Sequence, residues 1–398
     1  MREFSFIDLF AGCGGLSEGF YKKGFQALAH VEIDPVACLT LRERMRYYGY
    51  NNAENAVLEM DITSKDVLDK LDEIVRQKID VVIGGPPCQS FSSLGRAKDE
   101  YGMKYDKRNY LFESYVKILN HFQPKVFIFE NVTGILTATI NGSHIIDTIL
   151  KSLSLYYNVK LRVLNSANYG VPQIRKRTII IGTRKDLRYS PDHVFELIRM
   201  TNYDPEMEEN QRKGLKKYIT VRDAISELPF ITSGTGKRSI PFKSRRDNEF
   251  LRKIVPETCD TLLDHVARNQ NNLDIARYME MSKNHWTFQE LLENRPDLRH
   301  PKQRVFGNSY AVQWWDLPAK TIIAHLYKDG NQFIHPDYRQ GRSISVREAA
   351  RLQSFPDDFV FCGPRTEQFK QIGNAVPPLF AEAIAEGIKQ ILNSCSEA

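Results

Sequence analysis

The sequence has few cysteines and no two of them in a C-x-x-C arrangement. The 398 residues include six cysteines, at positions 13, 38, 88, 259, 362 and 395. Disulfide frameworks and structural zinc sites usually show closely spaced pairs of cysteines. Neither kind of site is predicted, and we expect reduced thiols, no bound metal and a cytoplasmic location.

Long apolar runs are also absent. The N-terminal stretch MREFSFIDLFAGCGG carries Asp8 within its short apolar run and has no cleavage site, and no later window is long enough to span a bilayer. We therefore expect neither export nor membrane insertion. The sequence contains no internal repeat and no low-complexity tract.

Charge of one sign is only slightly in excess. The chain has 55 basic and 49 acidic residues, a formal net charge of +6, and 42% of its residues are hydrophobic. This composition supplies a core for one large domain and a smaller one. The slight basic excess is consistent with a polyanionic partner but equally with an ordinary basic surface.

Short apolar runs and amphipathic stretches alternate over residues 1–187. FSFIDLF, QALAHVEI, DVVIGG, KVFIFENV, KLRVLNSA and RTIIIGT have the character of strands, and the stretches between them have helical spacing. This pattern predicts an α/β fold with a doubly wound, mostly parallel sheet. Residues 188–338 are charged and irregular and are predicted to form a second, smaller, loop-rich domain. Residues 339–398 are again helical and are expected to pack back on the first domain.

Ligands of open α/β sheets bind at the carboxyl ends of the strands. The first strand is followed by DLFAGCGG, in which Gly12, Gly14 and Gly15 allow a tight turn near a ligand, although the G-x-G-x-x-G spacing is missing. Glu32 lies twenty residues beyond Gly12, where a carboxylate could accept both hydroxyls of a ribose. Asp61 could reach an adenine amino group. For either acid, a helix N-cap is the competing interpretation.

A cysteine and an acid follow two further strands. In VVIGGPPCQSFSSLG two prolines fix the chain direction ahead of Cys88, and FIFENV places Glu130 at the same edge of the sheet. Amide dipoles at the start of the following segment can favour a thiolate. A thiol beside a carboxylic acid indicates attack on a ring combined with proton donation to it.

Seven segments occur in a characteristic order: FAGCGG, VEID, GGPPCQSFS, ENVTGIL, QIRKR, REAARLQSFPDDF and QIGNAVPP. In this the sequence resembles the bacterial cytosine-5 DNA methyltransferases of restriction-modification systems, over residues 4–187 and 318–390. The resemblance implies a Rossmann-like methyltransferase fold and methyl transfer to carbon 5 of cytosine. Cys88 would add to carbon 6, Glu130 would hydrogen-bond ring nitrogen 3 and the exocyclic amine, and Arg175 and Arg177 would orient the base and support Cys88.

The same resemblance implies S-adenosyl-L-methionine as the cofactor, S-adenosyl-L-homocysteine as its product, and no metal. Phe10 would face the adenine, Gly12, Gly14, Gly15 and Leu16 the methionine end, and Glu32 the ribose. The remaining cofactor positions implied by the match are Asp61, Ile62, Pro87, Leu111, Asn374 and Val376. Ile33 departs from the family pattern, because many relatives carry an aromatic residue there against the adenine.

Family members act on double-stranded DNA, and the target cytosine must leave the base stack. The resemblance and the local charge together indicate DNA contacts by Gln89, Ser92, Arg96, Gln173, Lys243, Arg245, Arg246 and Thr321. The last three basic residues belong to GKRSIPFKSRRDNEFLRK, which holds seven basic residues against two acidic ones; a solvated basic face is the alternative. We expect a monomer, and any cognate restriction endonuclease would act separately.

Three other functions fit the sequence less well. The tRNA-methylating branch of the superfamily carries a C-F-T tripeptide in its recognition region, and this sequence has none. A nicotinamide-dependent oxidoreductase would need the G-x-G-x-x-G spacing and would leave PPCQ and ENV unexplained. A catalytically inactive DNA-binding protein would be expected to lack the nucleophile, which is present.

Overall fold

The structure is a computed structural model, and it describes residues 4–87, 110–140, 142–299 and 310–394. Four residues with predicted roles lie outside the described residues: Cys88, Gln89, Ser92 and Arg96.

Within the described residues the main sheet has seven strands. They are β1 Ser5–Leu9, β2 Gln26–Glu32, β3 Val57–Glu59, β4 Val81–Gly84, β5 Val126–Val132, β6 Tyr157–Asn165 and β7 Lys176–Arg184. Their order across the sheet is β3-β2-β1-β4-β5-β7-β6. β7 runs antiparallel to β5 and β6, and the other neighbours pair in parallel. The predicted α/β fold with a mostly parallel sheet is confirmed.

The central strands are apolar because they are covered on both faces. All five residues of β1 and all four of β4 are buried, which is the pattern of strands in a parallel sheet flanked by helices. Asp8 is the one acid within β1, and its carboxyl has no access to solvent. The apolar core beside these strands includes Ile7, Val82, Tyr115 and Phe127.

By contact density the chain divides into two compact units. The first unit comprises residues 1–169, 176–200 and 376–398, and the second comprises residues 170–175 and 201–375. The borders of these units differ from the predicted borders at 187/188 and 338/339. The predicted borders separate parts of the chain with different functions, and that division stays a prediction.

The first unit contains the seven-stranded sheet and amphipathic helices. Asp34 caps the second helix by accepting from the backbone N–H groups of Val36 and Ala37. Gly19 lets the first and last helices approach closely, since a Cβ there would lie 2.3 Å from the backbone of Ala381. The helices in the described part of this unit are Gly15–Lys22, Pro35–Tyr47, Ala53–Ala56, Val67–Ile74, Leu111–Phe122, Ile145–Leu153, Pro191–Leu197 and Pro378–Ser394. Two short strands, Thr139–Ile140 and Ser143–His144, pair with each other.

The second unit is mostly irregular and contains buried ion pairs. Arg342 donates to Glu348 at 2.7 Å, and Arg351 donates to Asp357 at 2.6 Å; all four side chains are buried. The antiparallel strands Gly236–Pro241 and Thr261–Val266 form a ribbon, and Asn202–Tyr203 pairs with Lys216–Lys217. The helices are Val221–Ile225, Glu249–Ile254, Asn272–Asn284, Phe288–Asn294, Val346–Leu352 and Arg365–Asn374.

None of the helices in the described part of the chain is both long enough and apolar enough to cross a membrane.

Candidate active site at the strand ends

The loop after β1 has the backbone geometry of a ligand-binding turn. Gly12 and Gly14 adopt φ angles of 55° and 88°, in the left-handed region that glycine tolerates best. A Cβ built on Gly12 would meet no atom of the described residues within 4 Å, so these residues leave the space beside it open. Phe10 also adopts a positive φ of 59°. A non-glycine residue held in this region costs on the order of 1–3 kcal/mol and often marks a functional site.

Glu32, at the end of β2, fixes this loop through its carboxylate. Oε2 accepts from the backbone N–H of Gly12 at 2.7 Å, and Oε1 accepts from those of Ile33 at 2.9 Å and Asp34 at 2.8 Å. Burial raises the pKa of Glu32, while these three N–H groups act in the opposite direction. A carboxylate offers about four acceptor sites, so about one remains for a ligand hydroxyl, where two ribose hydroxyls were predicted.

The N-cap interpretation does not hold for either acid. Asp34 is the residue that caps the helix after Glu32, and Asp61 instead closes a local turn by accepting from the N–H and hydroxyl of Thr63, both at 2.8 Å. Ile33, the position that departs from the family pattern, is 63% exposed. An apolar side chain this exposed beside the glycine loop could contact a flat ring.

The other predicted cofactor positions have mixed exposure. Gly14, Gly15, Leu16, Ile62 and Val376 are buried. Pro87 and Leu111 are half-buried, while Asn374 is exposed. Val376 belongs to the first unit and Asn374 to the second.

Glu130 and Arg177 form an ion pair on adjacent strands. Nε of Arg177 lies 2.9 Å from Oε1 of Glu130, and both side chains are nearly buried. Burial lowers the pKa of Arg177, and the neighbouring Glu130 carboxylate partly offsets this. The antiparallel register brings the two residues together, because Glu130 pairs with Ile179 and Val132 pairs with Arg177.

Gly85 and Asn131, which were not predicted as site residues, bring the Glu130 carboxylate and the Gly85–Pro86 segment close together. A Cβ on Gly85 would lie 2.9 Å from Oε2 of Glu130, so only glycine leaves the carboxylate undisturbed. The side-chain amide of Asn131 donates to the carbonyl of Pro86 at 3.0 Å. The sequence signal for these two residues was that GGPP and ENV occur at the ends of neighbouring strands.

Arg175 has a different environment from Arg177. It belongs to the second unit, it is buried, and its guanidinium donates to the carbonyls of Ile322 at 2.7 Å and Gly373 at 3.1 Å. The hydroxyl of Thr321 donates to the carbonyl of Ile174 at 2.6 Å. Arg175 and Thr321 thus both connect the QIR segment to the chain around residues 321–322.

Gln173 does not reach the surface. Its amide nitrogen donates to the Leu352 carbonyl at 3.1 Å and to Gln353 at 2.9 Å, and its oxygen accepts from the N–H of Ile322 at 2.8 Å. The side chain is fully buried, so the structure does not support its prediction as a DNA contact. The polar contacts instead stabilise the packing of the second unit.

The basic segment of the second unit is divided between exposed and paired side chains. Lys243 is exposed, and Arg245 is 69% exposed, with a nitrogen of its guanidinium 3.7 Å from an oxygen of Asp247. Arg246 instead donates to Glu257 at 2.9 Å and is mostly covered. Among the three, Lys243 and Arg245 keep charge that can meet a phosphate.

No group of three or more His, Cys, Asp or Glu side chains arranged to hold a metal ion occurs among the residues that the structure describes.

Known proteins match nearly the whole length of this chain. The family model described as C-5 cytosine-specific DNA methylase matches residues 4–390. A type II methyltransferase from Bacillus paralicheniformis is 33% identical over 97% of this chain and 99% of its own. The type II methyltransferase M.DdeI from Desulfomicrobium norvegicum is also 33% identical, over 96% of this chain and 88% of its own.

Solved structures of other proteins have a fold similar to that of this chain. A protein described as a DNA modification methyltransferase encoded within an E. coli prophage is 25% identical, with a TM-score of 0.69 over 98% of this chain and 100% of that one. An Entamoeba histolytica methyltransferase, 13% identical with a TM-score of 0.55, covers 98% of this chain and 99% of its own. The second likeness concerns the fold alone.

Proposed function

The chain belongs to the C-5 cytosine-specific DNA methylases, and from this membership we propose how its residues carry out the reaction. The enzyme is a DNA (cytosine-5)-methyltransferase of the type II kind. The proposal is that Cys88 is its nucleophile, that Glu130 is its acid, and that the cytosine is extruded from double-stranded DNA before it reacts.

The observation that carries this proposal is the position of Glu130. Its Oε1 is held by Arg177, and its Oε2 lies beside Gly85, three residues before Cys88 in the sequence. Oε2 is thus the oxygen left for the exocyclic amine and ring nitrogen 3 of a cytosine. A bond from the Cys88 sulfur to carbon 6 makes carbon 5 nucleophilic, and Glu130 stabilises the adduct at nitrogen 3. Once carbon 5 has accepted the methyl group, loss of its proton to solvent and departure of the thiolate restore the aromatic ring.

The residues after β1 and β2 fit S-adenosyl-L-methionine. The described residues leave open space beside Gly12, Glu32 retains acceptor capacity for a hydroxyl, and Phe10 and exposed Ile33 offer apolar surface for adenine. When bound, the cofactor supplies the methyl group that carbon 5 accepts. Within the first unit, Asp61, Ile62, Pro87, Leu111 and Val376 complete the proposed cofactor contacts.

Arg175 has a positioning role in this proposal. Its bonds to the carbonyls of Ile322 and Gly373 connect the QIR segment to the chain that carries Thr321 and to the residue before Asn374. Removing its charge would leave buried carbonyls without donors. It therefore organises the second unit rather than contacting the base.

Residues 188–338 are proposed as the target-recognition domain, and residues 339–398 as the segment that completes the catalytic domain. Lys243 and Arg245 would contact phosphates, while Arg246 supports the fold through Glu257. We propose that the enzyme acts as a monomer, with any cognate endonuclease separate.

The test is a cytosine methylome. DNA from a host without cytosine-5 methylation is sequenced by bisulfite or enzymatic conversion after expression of the wild type or of Cys88→Ala. We expect 5-methylcytosine at one defined sequence with the wild type and none with the variant. Methylation by Cys88→Ala at the same sites would overturn the role of Cys88.

A further inference from the structure

The ribbon of the second unit has an exposed outer strand and a largely covered inner strand. Residues 236–239, at the start of the outer strand Gly236–Pro241, are all exposed. The inner strand Thr261–Val266 is fixed to the rest of the unit, since Nε of buried Arg347 donates to the carbonyl of Leu263 at 3.0 Å. The side chains of the outer strand therefore project into solvent from an anchored support.

An arginine and an acid face each other across this ribbon. Nε of Arg238 lies 3.6 Å from Oδ1 of Asp264, and the arginine side chain is 74% exposed whereas that of the acid is 10% exposed. At 3.6 Å the two charges attract each other but form no hydrogen bond. Among the residues that the structure describes, Arg238 is the one partner of the Asp264 carboxylate. A carboxylate this covered normally accepts several hydrogen bonds, so Asp264 has capacity to orient a donor.

The backbone at Asp264 is unusual for a strand. Its φ is 56°, in the left-handed region, although its neighbours in the chain pair regularly with Lys237 and Ser239. A non-glycine residue is held in this region only where its surroundings fix it, and such residues cluster at sites that bind ligands. The unusual backbone and the weakly paired carboxylate thus occur at the same residue, opposite Arg238.

We propose that Arg238 reads a guanine in the major groove of the recognition sequence and that Asp264 is the positioning residue for its guanidinium. The proposal rests on the proposed function and adds to it the base that is read. A two-stranded β-ribbon fits the major groove, where the most common specific contact is an arginine that donates two hydrogen bonds to O6 and N7 of guanine. Because Nε is the nitrogen nearest to Asp264, the two terminal nitrogens are left for the base.

The acid beside Arg238 favours a base over a phosphate as its partner. Asp264 offsets the charge of the guanidinium and repels a phosphate group, but it leaves the N–H donors of Arg238 in place. Base edges carry no net charge and do not meet this repulsion. Lys243, in the same basic segment, is exposed and has no ion-pair partner among the described residues, which suits the phosphate contact proposed for it above.

The experiment measures how strongly each base pair of the recognition sequence is discriminated. The sequence is taken from the wild-type methylome, and duplexes are made in which each of its base pairs in turn is replaced. The kcat/KM for methyl transfer gives, for every position, a ratio of the original to the substituted duplex. Arg238→Ala should lower this ratio about 5-fold to 150-fold at one G·C pair, as expected for loss of one bidentate contact, and should leave the other ratios unchanged.

Two further variants separate the reading role from the positioning role. Arg238→Lys keeps the charge but not the planar fork, so it should lose the preference at the same G·C pair. Asp264→Asn keeps the shape and tolerates a positive φ, but it removes the charge that offsets Arg238. The slope of log affinity for DNA against log salt should then steepen by up to about one, and the preference for guanine should fall. A merely structural Asp264 would change thermal unfolding and leave the slope as it is.

Arg222→Ala is the matched control. Arg222 is another exposed arginine of the second unit with a single acid beside it, Asp316, 2.8 Å from its Nε. Its ratios should equal those of the wild type at every position. A loss at the same G·C pair in Arg222→Ala would show a general effect of removing a surface arginine and would overturn the inference.

The outcomes separate this inference from the proposed function. A wild type that methylates no cytosine contradicts the proposed function itself. A wild type with a defined site whose ratios are unchanged in Arg238→Ala, or are lowered equally at every position, overturns the role of Arg238 alone. A salt slope lowered by about one in Arg238→Ala, with the preference intact, would place Arg238 on a phosphate and also overturn it. If Asp264→Asn folds and changes neither slope nor preference, its positioning role is wrong; if it does not fold, the two Arg238 variants decide.

Discussion

A single methyl group at position 85 should displace the proposed catalytic acid. In Gly85→Ala the new Cβ would lie 2.9 Å from Oε2 of Glu130, whereas ordinary contacts begin near 3.4 Å. The oxygen must therefore retreat by about half an ångström. Because Arg177 holds the other oxygen at 2.9 Å, the carboxylate cannot swing aside freely. Gly85 does not adopt a positive φ, so the alanine backbone itself is not strained.

The size of the effect follows from this displacement. A misplacement of about 1 Å can cost about a hundredfold in rate, so half that distance should slow methyl transfer on the order of tenfold, or about 1.4 kcal/mol in the barrier. Cofactor affinity should be unchanged, because the nearest described atoms to the new Cβ all belong to Glu130 and none to the loop after β1.

The assay is single-turnover methyl transfer from S-adenosyl-L-methionine to long unmethylated duplex DNA, with cofactor affinity and thermal unfolding measured alongside. Gly84→Ala is the contrasting variant, since its Cβ would lie 2.5 Å from the backbone oxygen of Leu9 and should lower the unfolding midpoint. A Gly85→Ala rate within twofold of the wild type, or a slower rate matched by an equal loss of stability, would refute the reasoning.

Three further predictions concern separate parts of the chain. Glu130→Gln should slow single-turnover transfer by about a hundredfold or more while DNA affinity changes only a few-fold; a rate near that of the wild type would contradict its role. Burial lowers the pKa of His335 below its unfolded value of 6.5, so its contribution to stability is complete above pH 6.5 and is lost as the pH falls. Tryptophan fluorescence should show this loss on acidification and a smaller loss in His335→Gln, because the three tryptophans lie within Thr201–Ala375. Lys243→Ala should reduce the slope of log affinity for DNA against log salt by about one, whereas Arg246→Ala, whose guanidinium already has a carboxylate partner, should leave the slope unchanged.

The strand pattern was readable from sequence because buried parallel strands are nearly continuous apolar runs. FIFENV and RTIIIGT predicted β5 and β7, and the family motifs between strands predicted which ends carry chemistry. The antiparallel direction of β7 was not readable, since a local run of apolar residues carries no information on its direction in the sheet.

The hydrogen-bond and ion-pair partners of the site residues could not be predicted from the sequence. Arg175 and Arg177 have the same residue type and nearly the same position, yet one donates to backbone carbonyls and the other to Glu130. Gln173 and Arg246 were both predicted to contact DNA. In the structure Gln173 is buried, and Arg246 is paired with the carboxylate of Glu257. These outcomes depend on residues distant in sequence, such as Ile322 and Glu257.

Covalent trapping on DNA tests the central claim most directly. Duplex DNA that contains 5-fluorocytosine at the methylated position cannot lose its carbon 5 substituent as a proton, so a Cys88 adduct formed in the presence of S-adenosyl-L-methionine should persist after denaturation. The account predicts a denaturation-resistant complex with the wild type and none with Cys88→Ala. Equal trapping by both proteins, or no trapping by a wild type that methylates ordinary DNA, would contradict it.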